Sequence, residues 1–193
     1  MTRYLIAAAT AAALFTGCIG LNKPASVLRY VIDPAVNVTT QENSGRSLAV
    51  RPLESARPYK QNVVYRQNDE MGVYSAVEWS ELPADAATRA LTDALEATHR
   101  FSDIGSAIDL SIPDQILTGQ LRRFDLVRDT EPWTAVCEIR LELRKSLGRT
   151  HVWSKTLTTS EPLATPNHVS LPQAMNTALG RLIEEAVTEI VTK

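Results

Sequence analysis

The stretch TAVCEIRLELR, from Thr134 to Arg144, decides the fold class. Cys137, Ile139, Leu141 and Leu143 alternate with Glu138, Arg140, Glu142 and Arg144. Successive side chains of a strand leave opposite faces, so this alternation describes a strand with one dry and one wet face. Antiparallel sheets commonly take that form, and they need an apolar cover on one side only. The last segment of the chain supplies such a cover. Met175, Ala178, Leu179, Leu182, Ile183, Ala186, Val187 and Ile190 recur at helical spacing, with Glu184, Glu185 and Glu189 on the other side. Ser170-Leu171-Pro172-Gln173, just before it, has the spacing of a capping box.

Working outward, Gln115 to Val127 reads as a strand with a parity break at Arg122-Arg123, the mark of a bulge. Ser146-Leu147-Gly148-Arg149 turns the chain into a further strand, Thr150 to Thr159. Pro162 and Pro166 then bound a loop. Upstream, Ala87, Leu91, Ala94, Leu95 and Thr98 share one face of a first helix. Pro83 stands in its first turn, Ser80 is its candidate N-cap, and the basic pair His99-Arg100 closes it. Four short strands precede that helix: 27–32, 47–52, 62–66 and 71–77, the last two forming a hairpin. Val73, Val77 and Trp79 share one parity there. Residues 35–46 and 102–114 are polar or Gly/Pro-bearing and are expected as loops. The expected architecture is α+β: a largely antiparallel sheet of six to seven strands with two amphipathic helices on one face.

The amino terminus carries a different message. Arg3 is followed by an apolar run from Tyr4 to Phe15 and then by Thr16-Gly17-Cys18. A charged start, a short apolar core and small residues before a cysteine make a lipoprotein signal. The run is about a dozen residues, against the ~20 a membrane-spanning helix requires. The expected organisation is a signal peptide over 1–17, a lipid-anchored tether over 18–26 and a single domain over 27–193. Cys18 is the candidate lipid anchor, and diacylglyceryl and N-acyl chains on it give stable membrane attachment. Ile19 follows it, where an Asp would mark retention in the inner membrane, so the expected location is the outer membrane, facing the periplasm.

Composition narrows function further. The 193-residue chain carries a net charge of −2 and lacks basic runs, which gives no support to nucleic-acid binding. With Cys18 committed to the anchor, Cys137 has no intramolecular disulfide partner and is expected as a small core residue. There is no nucleophile elbow, P-loop, dinucleotide fingerprint or H-E-x-x-H motif. His99, His151 and His168 stand apart in sequence, and Glu184, Glu185 and Glu189 fit a solvated helix face. The chain is expected not to be an enzyme and to need no cofactor or metal.

A set of residues in fixed order carries a family resemblance. It comprises Cys18, the opening strand Leu28-Arg29-Tyr30-Val31-Ile32-Asp33-Pro34, Leu48-Ala49-Val50, Arg57-Pro58-Tyr59 and Val64-Tyr65-Arg66. Tyr74, Trp79, Pro83, Phe124 and Trp153 follow. In this order the chain resembles the ABC-type transport auxiliary lipoproteins, which include the paraquat-inducible lipoprotein of the mammalian-cell-entry (MCE) transport systems. The resemblance implies a fold similar to the amino-terminal domain of the translocation protein TolB. It also implies a non-enzymatic, periplasm-facing part that docks an MCE-domain protein, working with a permease and an ATPase, for lipid transport between membranes. The alternative is a structural lipoprotein of another envelope assembly, such as a secretion or pilus apparatus. The candidate partner-binding residues are Tyr59, Tyr65 and Arg66, within a surface formed by the 35–46 loop and the 57–70 segment. Tyr and Arg are enriched at interface hot spots. The competing possibility is that the two tyrosines pack within the fold.

Overall fold

The computed structural model describes residues 26–56, 59–106 and 108–193. The expected signal peptide over 1–17, Cys18, the expected tether up to residue 25 and the Arg57-Pro58 step lie outside the described residues. Three long strands form an antiparallel meander: β7 (Gln115–Val127), β8 (Thr134–Lys145) and β9 (His151–Pro162). Their alternation is as expected, since Cys137, Ile139, Leu141 and Leu143 are buried while Arg140 and Arg144 are exposed. The bulge at Arg122 is present as a register shift between Leu121 and Arg123. Burial pushes the Cys137 thiol pKa up, which keeps it protonated and inert.

The free edge of β7 is filled in an unexpected way. Strands β2 (Ser47–Val50), β3 (Glu54–Ser55) and β4 (Asn62–Gln67) lie along it one after another, all parallel to it. They face Gln115–Leu117, Gln120–Leu121 and Asp125–Val127 in turn. β2, β3 and β4 thus line up as one interrupted strand, with bonds from Arg51 N to Leu117 O (3.0 Å) and Ala56 N to Leu121 O (3.1 Å) extending β2 and β3 along β7. β5 (Glu70–Trp79) folds back on β4 as a hairpin and pairs with β1 (Leu28–Tyr30), again in parallel. β6 (Asp103–Gly105) pairs in parallel with β2.

Among the described residues the sheet therefore has nine strands and is mixed, which corrects the expectation of six to seven strands in a largely antiparallel sheet. The two unforeseen strands, β3 and β6, are two and three residues long and have no room to show a period. Pairing direction depends on the crossover, because parallel neighbours need a long connection between them. Here β5, helix α1 (Pro83–Ala97) and β6 together carry the chain from β4 to β7. Val73 is half exposed although Val77 and Trp79 are buried. A register shift between Asn62 and Val64 breaks the shared parity expected for these residues.

Helices α1 and α2 (Leu171–Ile190) pack side by side on one face of the sheet, α1 over β3, β6 and β7, α2 over β8 and β9. Both starts differ from expectation. Leu82, not Ser80, occupies the N-cap of α1, and its carbonyl receives Asp85 N at 2.9 Å. Pro83 opens that helix, where a missing N–H costs nothing. The capping box at Ser170 does not form, because Ser170 is already helical. Asn167 Oδ1 instead accepts from Val169 N and Ser170 N at 3.0 and 3.2 Å, capping a short 3₁₀ turn that leads into α2. α1 ends as expected near His99, which takes a left-handed φ of 56°.

Residues 33–46 have no regular structure, yet they form a strap over the helices rather than a free loop. Val36 and Val38 pack against the core. Asn37 N donates to Glu184 Oε1 (2.7 Å), Gln41 N to Thr98 O (2.7 Å) and Ser44 N to Arg100 O (2.8 Å). Gly180 permits the close approach: a Cβ there would lie 2.4 Å from the Ala35 carbonyl oxygen.

Candidate functional site around Tyr65 and Arg66

Adjacent residues of a strand point to opposite faces. Tyr65 and Arg66 of β4 accordingly join two separate clusters. Arg66 Nε donates to Asp125 Oδ2 at 2.5 Å, and the Tyr59 hydroxyl donates to the same oxygen at 2.6 Å. Arg66 Nη2 also donates to Tyr59 Oη at 2.9 Å, and Arg123 Nη2 to Asp125 Oδ1 at 2.9 Å. Asp125 is fully buried at 0% exposure, and two partly exposed guanidinium groups close over it. Burial of this kind is tolerated only when the charge is paired and its lone pairs are filled, as they are here.

Tyr59 is 2% exposed, so it offers no surface to a partner. This corrects the expectation that it is an interface residue: its hydroxyl is committed to Asp125 and its ring to the core. Burial, together with the bond to Asp125, pushes its pKa up to about 12. Burial alone would lower the Arg66 pKa, but bonds to Tyr59 and Asp125 raise it. A tyrosine with a raised folded pKa stays protonated while the unfolded chain ionises. Stability from this site is thus complete below pH 10 and is lost as pH rises from 10 to about 12. Denaturant titrations at pH 9 and pH 11.5 should show that loss, and Tyr59→Phe should reduce it.

Tyr65 opens the second cluster. Its ring centroid lies 5.1 Å from that of Tyr74, and Tyr74 lies 5.4 Å from His168. His168 Nδ1 shares a hydrogen bond of 2.7 Å with Tyr30 Oη. Tyr30 in turn meets Trp79 at 6.1 Å, and Trp79 meets Phe124 edge-on at 5.1 Å. On the other side of Tyr65, the Arg128 guanidinium sits 4.7 Å from the Tyr65 centroid and 4.4 Å from that of Trp133. A ladder of rings therefore runs from the core to the half-buried Trp133. Such contacts contribute about 0.5–1.5 kcal/mol per ring pair beyond area burial, and about 0.5–2 kcal/mol per cation–π contact. Burial is the first cause raising the pKa of both Tyr30 and Tyr74.

His168 is engaged with Tyr30 through its Nδ1. Among the described residues there is no group of three His, Cys, Asp or Glu side chains placed to hold a metal, and no helix is long and apolar enough to cross a membrane. The site brings Tyr59 and Arg66 together, separates Tyr65 from them, and adds Asp125, Arg123, Tyr74, His168, Arg128 and Trp133. Of these, Tyr74 stands among the residues of the family resemblance, and Asp125 has a sequence signal as a carboxylate within the apolar run Phe124-Asp125-Leu126-Val127. Cys18 lies outside the described residues.

A family model for the ABC-type transport auxiliary lipoprotein component matches residues 30–187. The chain belongs to this family, whose members are lipoprotein components auxiliary to ABC-type transport. No curated protein matches it in sequence. Among solved structures, protein XCC0632 from Xanthomonas campestris is similar with a TM-score of 0.74 and 22% identity, over 85% of this chain and 95% of that one. An uncharacterized protein is similar at a TM-score of 0.65 and 11% identity, covering 86% and 99%. Hypothetical protein CT253 from Chlamydia trachomatis is similar at 0.52 and 11%, covering 77% and 96%. At these identities the likeness concerns the fold alone.

Proposed function

We propose that this protein is a non-enzymatic, lipid-anchored part of an MCE-type ABC transport system. It sits on the outer membrane through Cys18, faces the periplasm and docks the MCE-domain protein, which works with a permease and an ATPase to move lipid between the membranes. The observation that carries this reading is the family match over 30–187 preceded by Thr16-Gly17-Cys18. The fold supports it. β1, the first described element, runs parallel to β5 and thus away from the β4–β5 turn. The tether therefore leaves the domain toward that turn, and the opposite end of the sheet faces away from the membrane. Tyr65 and Arg66 lie near the β4–β5 turn, on the tether side of the sheet.

The anchor is tested with Cys18→Ser. Serine has no thiol to accept the diacylglyceryl group, so labelled fatty acid should enter the wild type and not the variant. On detergent phase separation the wild type should partition with detergent and the variant with water. Aqueous partition of both would remove the anchor and with it the outer-membrane placement.

A further inference from the structure

The end of the domain away from the tether combines three apolar tips with a cationic cleft. Ile108, Ile112 and Leu147 are 92%, 75% and 79% exposed. The loops that carry them are tied together: Ser146 N donates to Asp114 O at 2.9 Å, and Asp114 Oδ2 accepts from Ser47 N at 2.8 Å. Leu147 lies between Lys145 and Arg149, which line a shallow cleft with Arg51, Arg144, Ile116 and Thr118. Arg144 is paired with Glu142 at 2.6 Å. Among the described residues, Arg51, Lys145 and Arg149 have no carboxylate within salt-bridge distance. Two acids of these loops are held by hydroxyl groups, Asp109 by Ser106 Oγ and Asp114 by Ser47 Oγ. In a chain of net charge −2 this is a local excess of unpaired cations beside exposed aliphatic side chains.

We infer that this end is a docking surface for a protein segment that places carboxylates over the Arg51–Lys145–Arg149 cleft and an apolar pocket over Leu147 and Ile112. The inference rests on the proposed function and locates its partner surface. Two chemistries suit cations beside aliphatic tips, an acidic protein and an anionic bilayer, and the tether decides between them. β7 is 13 residues, roughly 40 Å long. The tether from Cys18 to Ser26 is eight steps, at most about 28 Å when extended, and it leaves β1 toward the other end. A membrane holding Cys18 lies at that other end, so a protein occupies this one. Rim charges steer association and make it salt-dependent, and a central aliphatic anchor slows release.

The test uses the full-length lipidated protein in nanodiscs. Its binding is measured to the purified MCE-domain protein of the same organism and, in parallel, to vesicles of phosphatidylglycerol and phosphatidylethanolamine. Leu147→Asp and Arg149→Glu should each weaken protein binding by about tenfold or more at unchanged melting temperature, and Arg149→Glu should flatten the salt dependence. Glu185→Ala, on the exposed side of α2, serves as the control and should bind as wild type. Wild-type binding retained in both end variants would overturn this surface while leaving the proposed function standing. Failure of the wild type to bind would overturn the proposed function, and this surface with it. Loss of vesicle binding alone in the variants would assign the end to a bilayer and overturn the protein assignment.

Discussion

Leu182→Asp should leave the protein unable to hold its native fold. Leu182 is buried on α2 among Ala178, Leu179, Ile183 and Ala186, over the dry face of β8 and β9. Removing its methyl groups alone costs about 2–5 kcal/mol. The introduced carboxylate has no partner there and adds several kcal/mol of desolvation. Together these consume a large share of the ~5–15 kcal/mol by which domains are stable. Glu185→Ala on the same helix should shift stability by less than about 0.5 kcal/mol, although Glu185 accepts from Lys155 Nζ at 3.0 Å. Thermal melts of the two variants distinguish the faces: loss of a cooperative transition for one, and a near wild-type midpoint for the other. Equal midpoints would mean that the buried stripe of α2 is misassigned.

Asp125→Ala should be the most damaging single change among the polar residues. It removes the acceptor for Arg66, Arg123 and Tyr59 at once, leaving two like charges beside each other over a buried hydroxyl. Breaking a buried pair costs about 3–5 kcal/mol. Arg66 and Arg123 are each about a third exposed and recover part of their hydration, so the loss should be near 3 kcal/mol. Arg123→Ala should cost less, because Arg66 and Tyr59 still satisfy the carboxylate. Urea midpoints of the two variants give the comparison. An Asp125→Ala midpoint no lower than that of Arg123→Ala would show that the carboxylate is not the hub.

The parts legible in the sequence are those with long periods. The alternation in β8, the apolar stripe of α2 and the bulge in β7 each express a local rule repeated over many residues. What escaped the reading is set by contacts distant in sequence. Nothing in Glu54-Ser55 or Asp103-Ile104-Gly105 announces a strand, because each is fixed by the strand it lies beside. Ser170 has the spacing of a cap, but Asn167 takes that function by turning the chain three residues earlier. Tyr59, Tyr65 and Arg66 are residue types favoured at interfaces. Only the partners brought by β7 show that Tyr59 is buried against a carboxylate 66 residues away. The proposed docking end escaped for the same reason, since Arg51 and Arg149 are separated in sequence and meet only across the sheet.

The strap over the helices also determines how the molecule bears load. Tension on an anchored amino terminus enters through β1, a three-residue strand paired with β5. Pulled along its length, that short ladder is sheared, with the Tyr30 hydroxyl on His168 and the buried Ile32 as its pegs. Behind it lies the strap, fastened at Asn37, Gln41 and Ser44 by separate bonds that open in sequence rather than together. Only when these are spent does force arrive at β2 and the edge of β7. A series of small fastenings, including the core contacts of Ile32, Val36 and Val38, thus yields before load reaches the central meander.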